Sequence, residues 1–369
     1  MTTPLSRIRN LQGLRLYAAI PVVLYHTKFS LPGVRPIGVF AIHLFFLLSG
    51  YIMAQICEGD STAFTRRRLI RIVPLYWSLT IMLYLAAWKF PHLMNATRAV
   101  PSELIKSLLF IPFAKSNGQY KPILFVGWTV NCEMFFYMML SVAVLIYRRR
   151  AVLLGAGLML SVMGLCFLFR NQNEIARFYS NPILLECVLG LFSYYCVQYA
   201  VRRITPAMKP ALLGAVVGSM ILLPAIEEWQ LLQRLPEILQ YAPLCFVLIC
   251  SVCLLASLGA DLKAGTIVLL GDASYVMYLT HPYVIQFLDR VVGRIVPAFH
   301  VDSTIGVLFA MMLVMPLSVL LYLKVDKPVI VYLNNLLCGR KRPDPASYVA
   351  PLEPVATLPT PLVSQASAS

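Results

Sequence analysis

Ten apolar runs, each close to the length of a bilayer crossing, constrain this chain more than any other feature. They lie at roughly 11–30, 36–57, 70–90, 123–147, 151–169, 181–200, 211–226, 241–259, 266–288 and 303–323. About twenty residues of helix cross a hydrocarbon core, and a backbone in oil must satisfy its own hydrogen bonds, which a helix does within one segment. The expected fold is therefore all-α, a polytopic integral membrane protein with about ten transmembrane helices. The first run is polar for a span and the seventh is short, so nine or eleven crossings fit as well. Composition agrees: 59% of residues are hydrophobic and 13% charged, against about a quarter charged in a soluble domain.

The formal net charge of +15 would suggest nucleic acid in a soluble protein. Here Lys and Arg sit between the apolar runs, where they set topology, and nucleic acid is not an expected partner. An N-terminus on the cytosolic side places "RRRLIR" (Arg66 to Arg71), "RRR" (Arg148 to Arg150), "RR" (Arg202, Arg203) and "GRKR" (Gly339 to Arg342) all in the cytosol. Both termini are then cytosolic. The start "MTTPLSRIRN" leads into a span with no small-residue cleavage site after it and reads as part of a retained first helix. Cysteines such as Cys57, Cys132, Cys166 and Cys245 lie within apolar runs and read as small hydrophobes. The same holds for "CSVC" at Cys250 to Cys253. No disulfide framework and no metal site are expected.

Residues 1–335 read as one transmembrane domain. Residues 336–369, ending "PDPASYVAPLEPVATLPTPLVSQASAS", read as a disordered cytosolic tail rich in Pro, Ala and Ser. Between the third and fourth runs, "PSELIKSLLFIPF" is too short to span and suits an interfacial or re-entrant piece covering a site from the outer side.

An ionisable group deep in a bilayer costs several kcal/mol, roughly 3 on insertion scales, and usually faces an interior cavity. Arg15, His26, Glu133, Glu186, Asp272 and His281 are such groups. Arg15 and His26 stand eleven residues apart, about 1100° of helix and about 16 Å of rise, so both project from one face. A cavity lined by that face can hold an anion at Arg15 and reacting atoms at His26. Taken alone, Arg15 snorkelling to lipid phosphate and His26 as a satisfied core histidine fit the spacing equally well.

Thr129, Glu133 and Tyr137 recur at i, i+4 and i+8 in "GWTVNCEMFFY" and share a face. Arg15 or the imidazole of His26 is the expected partner of Glu133, in a site or in an ion pair that orders the bundle. Ser274, Tyr278 and His281 fall within one arc of "GDASYVMYLTHPY" and can hydrogen-bond a polyhydroxylated substrate or neighbouring helices. His43 has no ionisable neighbour on its own turn and reads as structural. The arginines of "FTRRRLIRIVPLYW" fix orientation and can also grip the phosphates of a nucleotide-bearing donor.

Together these segments resemble the membrane-bound acyltransferase-3 family, bacterial O-acyltransferases of surface glycans. The matching pieces are "LQGLRLYAAIPVVLYH", "AIHLFFLLSGY", "FTRRRLIRIVPLYW", "GWTVNCEMFFY", "GDASYVMYLTHP" and "YLKVDKP", in family order from residue 11 to 328. The resemblance implies about ten helices in a bacterial cytoplasmic (inner) membrane, with acyl-CoA, acetyl-CoA by preference, taken from the cytosol as donor substrate. No bound cofactor is implied. It further implies a glycan or lipid-linked oligosaccharide as acceptor, an exopolysaccharide before a lipopolysaccharide, with membrane lipid and polysaccharide-assembly proteins as partners. Residue by residue it makes Arg15 and His26 the essential Arg-x10-His pair, with His26 as general base or acyl carrier and Glu133 the acid that orients it. Arg68 and Arg71 become the donor's phosphate ligands, and Tyr278 and His281 the late Tyr-Leu-x-His, with Ser274 beside them toward the acceptor. Ala41 stands where a glycine is usual and Asp326 where a glutamate is usual, mild departures that bear on helix packing. A transporter or flippase with a charged path, and a structural partner of a polysaccharide-assembly complex, remain the alternatives.

Overall fold

A computed structural model describes residues 8–28, 37–59, 61, 63–93, 97–115, 118–296 and 299–338. Among these all regular structure is helical. The first eight helices are α1 (Arg9–Thr27), α2 (Val39–Glu58), α3 (Phe64–Lys89), α4 (Pro101–Leu108), α5 (Trp128–Tyr147), α6 (Ala151–Phe169), α7 (Glu174–Tyr179) and α8 (Leu185–Val201). There follow α9 (Lys209–Trp229), α10 (Glu237–Ser257), α11 (Gly265–Asp272), α12 (Ser274–Phe287), α13 (Gly293–Ile295), α14 (Thr304–Leu321) and α15 (Lys327–Leu337).

Seven stretches of described helix are long and apolar enough to cross a membrane, and one of them, Phe125–Phe169, holds both α5 and α6. The short seventh run becomes the full-length α9. Two of the ten runs are not among the seven. The first is α1, which carries Arg9, Asn10, Gln12 and Arg15. The ninth is broken at Ala273 into α11 and α12. The tenth runs further than its apolar composition suggests: α14 passes through a widened π-type turn, Tyr322–Asp326, into α15. Pro328, which lacks an N–H to bond back along the helix, follows directly on that widened turn. Helix thus reaches Leu337, two residues into the segment read as tail, and the tail from Gly339 onward lies outside the described residues.

Close backbone approach organises the interior. A Cβ on Gly50 would lie 2.1 Å from the Cys187 carbonyl oxygen, and one on Gly190 would lie 2.2 Å from that of Leu47. Without side chains at the crossing, α2 and α8 meet backbone to backbone, the arrangement that dispersion forces favour where lipid supplies no hydrophobic drive between helices. Charged groups fasten two helix starts. Glu227, near the end of α9, accepts from the N–H groups of Gly38 and Val39 (both 2.8 Å) and Phe40 (3.1 Å) at the start of α2. Asp261 accepts from the N–H groups of Arg9 and Asn10 at the start of α1. A carboxylate at the positive end of a helix satisfies orphan donors and the helix dipole together.

The segment between α3 and α5 folds back on the bundle. Trp77 of α3 donates its indole N–H to the Leu108 carbonyl at 2.8 Å, and Phe110 stacks on Tyr76 with ring centres 4.9 Å apart. α4 is eight residues long, below the length of a span.

Candidate active site

α1, α2, α3, α5, the α11–α12 break and α15 surround a cavity of about 180 Å³, far beyond the room one water needs. Arg15, Arg68, Arg71, Glu133, Ser274 and Tyr278 all line it. Thr129 and Tyr137, on the same face of α5 as Glu133, line it too. The ridge read from i, i+4, i+8 spacing therefore points inward, which a helix of period 3.6 achieves with residues four apart.

Glu133 is held from two directions. Ser49 of α2 donates to its carboxylate at 3.0 Å, and the Tyr137 hydroxyl one turn along α5 makes a short hydrogen bond to the same oxygen. The sequence reading set His26 or Arg15 against this carboxylate. Arg15 shares the cavity, whereas the hydrogen bonds come from Ser49 and Tyr137. Sequence spacing already offered Tyr137; Ser49 is recognisable only through the packing of α2 on α5.

Arg71 is engaged as well. Its guanidinium forms a 2.8 Å ion pair with the buried Asp326 and reaches the Asp272 carbonyl at 3.5 Å, with the Tyr275 ring 5.5 Å away. Asp326 is the acid noted above as a departure from glutamate. Its position in the wide turn between α14 and α15 makes it the partner that fixes Arg71, so Arg71, one of the three arginines (Arg15, Arg68 and Arg71) expected to hold the donor's anionic groups, is tied into the wall.

Neither His26 nor His281 lines the cavity, so of the face expected to carry both Arg15 and His26 into one cavity only Arg15 borders it. The His26 ring packs 5.0 Å from that of His281 and 5.5 Å from that of Phe125. Tyr278 joins the two regions. It lines the cavity, its ring centre is 6.0 Å from that of His281, and its hydroxyl bonds Thr129 Oγ1 at 2.9 Å and the Val126 carbonyl at 3.2 Å. His281 is fully buried, and its Nδ1 lies 3.0 Å from the Met277 carbonyl. A carbonyl only accepts, so Nδ1 carries the proton and Nε2 presents a lone pair. That Nε2 has no hydrogen-bond partner among the described residues. The same is true of three cavity-lining atoms: Gln12 Oε1, Ser274 Oγ and Asn334 Oδ1. Buried polar atoms without partners are uncommon in folded proteins, and these three residues border open volume in which water or a ligand can complete the bonding.

Two ionisable residues singled out in the sequence lie elsewhere. His43 and Glu186 bond each other through Nδ1 and a carboxyl oxygen, both buried, with the Tyr241 ring 4.9 Å from the imidazole. Neither lines the cavity. Their pairing joins α2 to α8 beside the glycine crossing, and no motif within either helix announces it.

The sequence model of the family described as "Acyltransferase domain" matches residues 8–323. The chain is 29% identical over 263 residues to "Exopolysaccharide production protein ExoZ" of Rhizobium meliloti (strain 1021), covering 69% of this chain and 78% of that one. It is 25% identical over 392 residues to "Acyltransferase MdmB" of Streptomyces mycarofaciens, covering 94% of this chain and 97% of the relative. No solved structure matches.

Proposed function

The chain belongs to the acyltransferase-3 family and is a membrane acyltransferase, and from that premise we propose that it moves an acyl group, acetyl by preference, from acyl-CoA to a hydroxyl of an exopolysaccharide. About ten membrane crossings, with both termini cytosolic, fit this reading. The donor enters from the cytosol with its phosphates against Arg68 and Arg15, while Arg71, paired with Asp326, keeps that wall in place. Its arm runs along the cavity toward Tyr278, beyond which His26 and His281 lie side by side.

His26 takes the proton of the acceptor hydroxyl as the oxygen attacks the thioester carbonyl. The C–O bond forms, the C–S bond breaks, and the proton passes to the departing CoA thiolate. In the covalent variant the His26 nitrogen attacks first and the sugar oxygen collects the acyl group from it. The lone pair at His281 Nε2 receives a hydrogen bond from the acceptor, and Ser274 and Tyr278 supply further polar contacts. Glu133, fixed by Ser49 and Tyr137, balances the arginine charge of the cavity rather than gripping His26 directly.

The observation that carries the reading is the neighbourhood of parts: an arginine-lined cavity has Tyr278 in its wall, and the Tyr278 ring lies 6.0 Å from that of His281, itself 5.0 Å from that of His26. Inner-membrane vesicles holding the protein, given acetyl-CoA labelled in the acetyl group together with bacterial exopolysaccharide, test it. Label should become covalently bound to the glycan and be released by mild alkali as acetate. Label that crosses the vesicle membrane without ever joining the glycan would establish a carrier instead.

A further inference from the structure

One cavity wall lies past the family match and has no role in the acyl-transfer reading, although its first two residues, Lys327 and Pro328, close the "YLKVDKP" motif. α15 begins four residues beyond the last residue matched to the family, yet Lys327, Ile330 and Asn334 of this helix all line the cavity. Their spacing, i, i+3 and i+7, is one helical face. The helix is anchored at both ends against α3, by Asp326 to Arg71 and by the Leu337 carbonyl, which accepts from Arg66 at 2.8 Å. Such anchoring holds the face toward the cavity.

Asn334 gives that face a direction of recognition. Its amide nitrogen donates to the Ile330 carbonyl at 2.9 Å, which fixes the orientation of the side chain, since only the nitrogen can bond a carbonyl. The amide oxygen is left buried with no partner among the described residues. A lone acceptor two turns along the same face from a lysine, about 10 Å of rise, in a cavity that the arginines of α3 also line, suits a ligand that is anionic at one group and carries an N–H donor at another.

We propose that α15 reads the nucleotide of the donor: Lys327 holds a phosphate oxygen, and Asn334 Oδ1 accepts a hydrogen bond from the exocyclic amine of adenine. This rests on the acyl-CoA reading above and adds to it a basis for choosing the nucleotide. Ile330, between the two polar residues, offers an apolar surface to the base.

The test measures selectivity ratios, which do not depend on how much of a variant folds. Glycan acylation is followed with acetyl-CoA, with its analogue bearing hypoxanthine in place of adenine, and with acetyl-pantetheine, which has neither phosphate nor base. The wild-type protein should prefer acetyl-CoA over the hypoxanthine analogue by about tenfold in kcat/KM, the scale of one buried hydrogen bond. Asn334→Leu should bring that ratio close to one while keeping most of the preference over acetyl-pantetheine. Lys327→Gln should cut the preference over acetyl-pantetheine by about tenfold, as expected for a charge-assisted bond, and leave the base ratio in place. Variants that keep both wild-type ratios overturn the role of α15 and leave the acyltransferase reading intact. A wild-type protein that acylates glycan from none of the three donors overturns the donor reading itself.

Discussion

Two buried clusters of ionisable groups lie within the bundle, and they behave oppositely. Arg15, Glu133 and Arg71 border open volume, beside polar atoms with bonds still to make. His43 and Glu186 are buried where α2, α8 and α10 meet, bonded to each other, with the Glu237 carboxylate 3.9 Å from the other imidazole nitrogen, and they border no part of the cavity. Both clusters carry the cost of placing polar groups in oil. The first retains a place for a guest; the second uses its bond to join helices that already meet backbone to backbone at Gly50 and Gly190. Open space and unmade bonds beside an intramembrane charge are thus what separate the first cluster from the second.

The contrast is sharpest for His26. Replacing it by alanine should reduce glycan acylation by about 10³-fold or more, the scale of a lost general base or nucleophile. The amount of inserted protein, read by immunoblot, should stay unchanged. Retention of full activity would remove the histidine end from the mechanism.

The buried pair should show the reverse pattern. His43→Ala or Glu186→Ala leaves its buried partner unsatisfied and should lower stability by about 3–5 kcal/mol. The fraction that still folds should acylate at close to the normal rate. Replacing both residues by leucine should restore most of the lost stability, as measured by thermal unfolding in detergent. A double variant that is stable but inactive would move this pair into the functional class and end the distinction.

Smaller effects probe the seam itself. Gly190→Ala places a methyl group against the Leu47 carbonyl and should cost about 1–3 kcal/mol, the range for overpacking. Glu227→Ala removes the carboxylate that bonds three N–H groups at the start of α2 and should cost about 0.5–2 kcal/mol. If both variants unfold at the wild-type temperature, the α2–α8 unit is less rigid than its contacts imply.

Much of this arrangement is legible in the sequence because it depends on local period. The inward ridge of Thr129, Glu133 and Tyr137 follows from spacing alone, and the long helices follow from apolar length. What escapes is whatever depends on a partner distant in the chain. Nothing local in "AIHLFFLLSGY" says that His43 finds Glu186, 143 positions later. Asp326 reads as a mild substitution until Arg71 is seen against it. The break at Ala273 had a faint signal, Gly271 and Asp272 inside an apolar run. The glycine itself has a tertiary reason: a Cβ at Gly271 would come within 2.1 Å of the Gln12 carbonyl, so α1 passes too close for any side chain there. Asn334 lies beyond the last apolar run, where no hydrophobic length marks a helix.

The hydroxyl-to-hydroxyl bond between Tyr278 and Thr129 has one more consequence. A membrane is an electrical insulator, and a protein that hollows it risks short-circuiting the ion gradients it sustains. Here the bond ties α12 to α5, and with the Tyr278 ring 6.1 Å from that of Phe45 it lines this side of the hollow with aromatic and hydroxyl groups, which offer a hydrated sodium or potassium ion no charged partner.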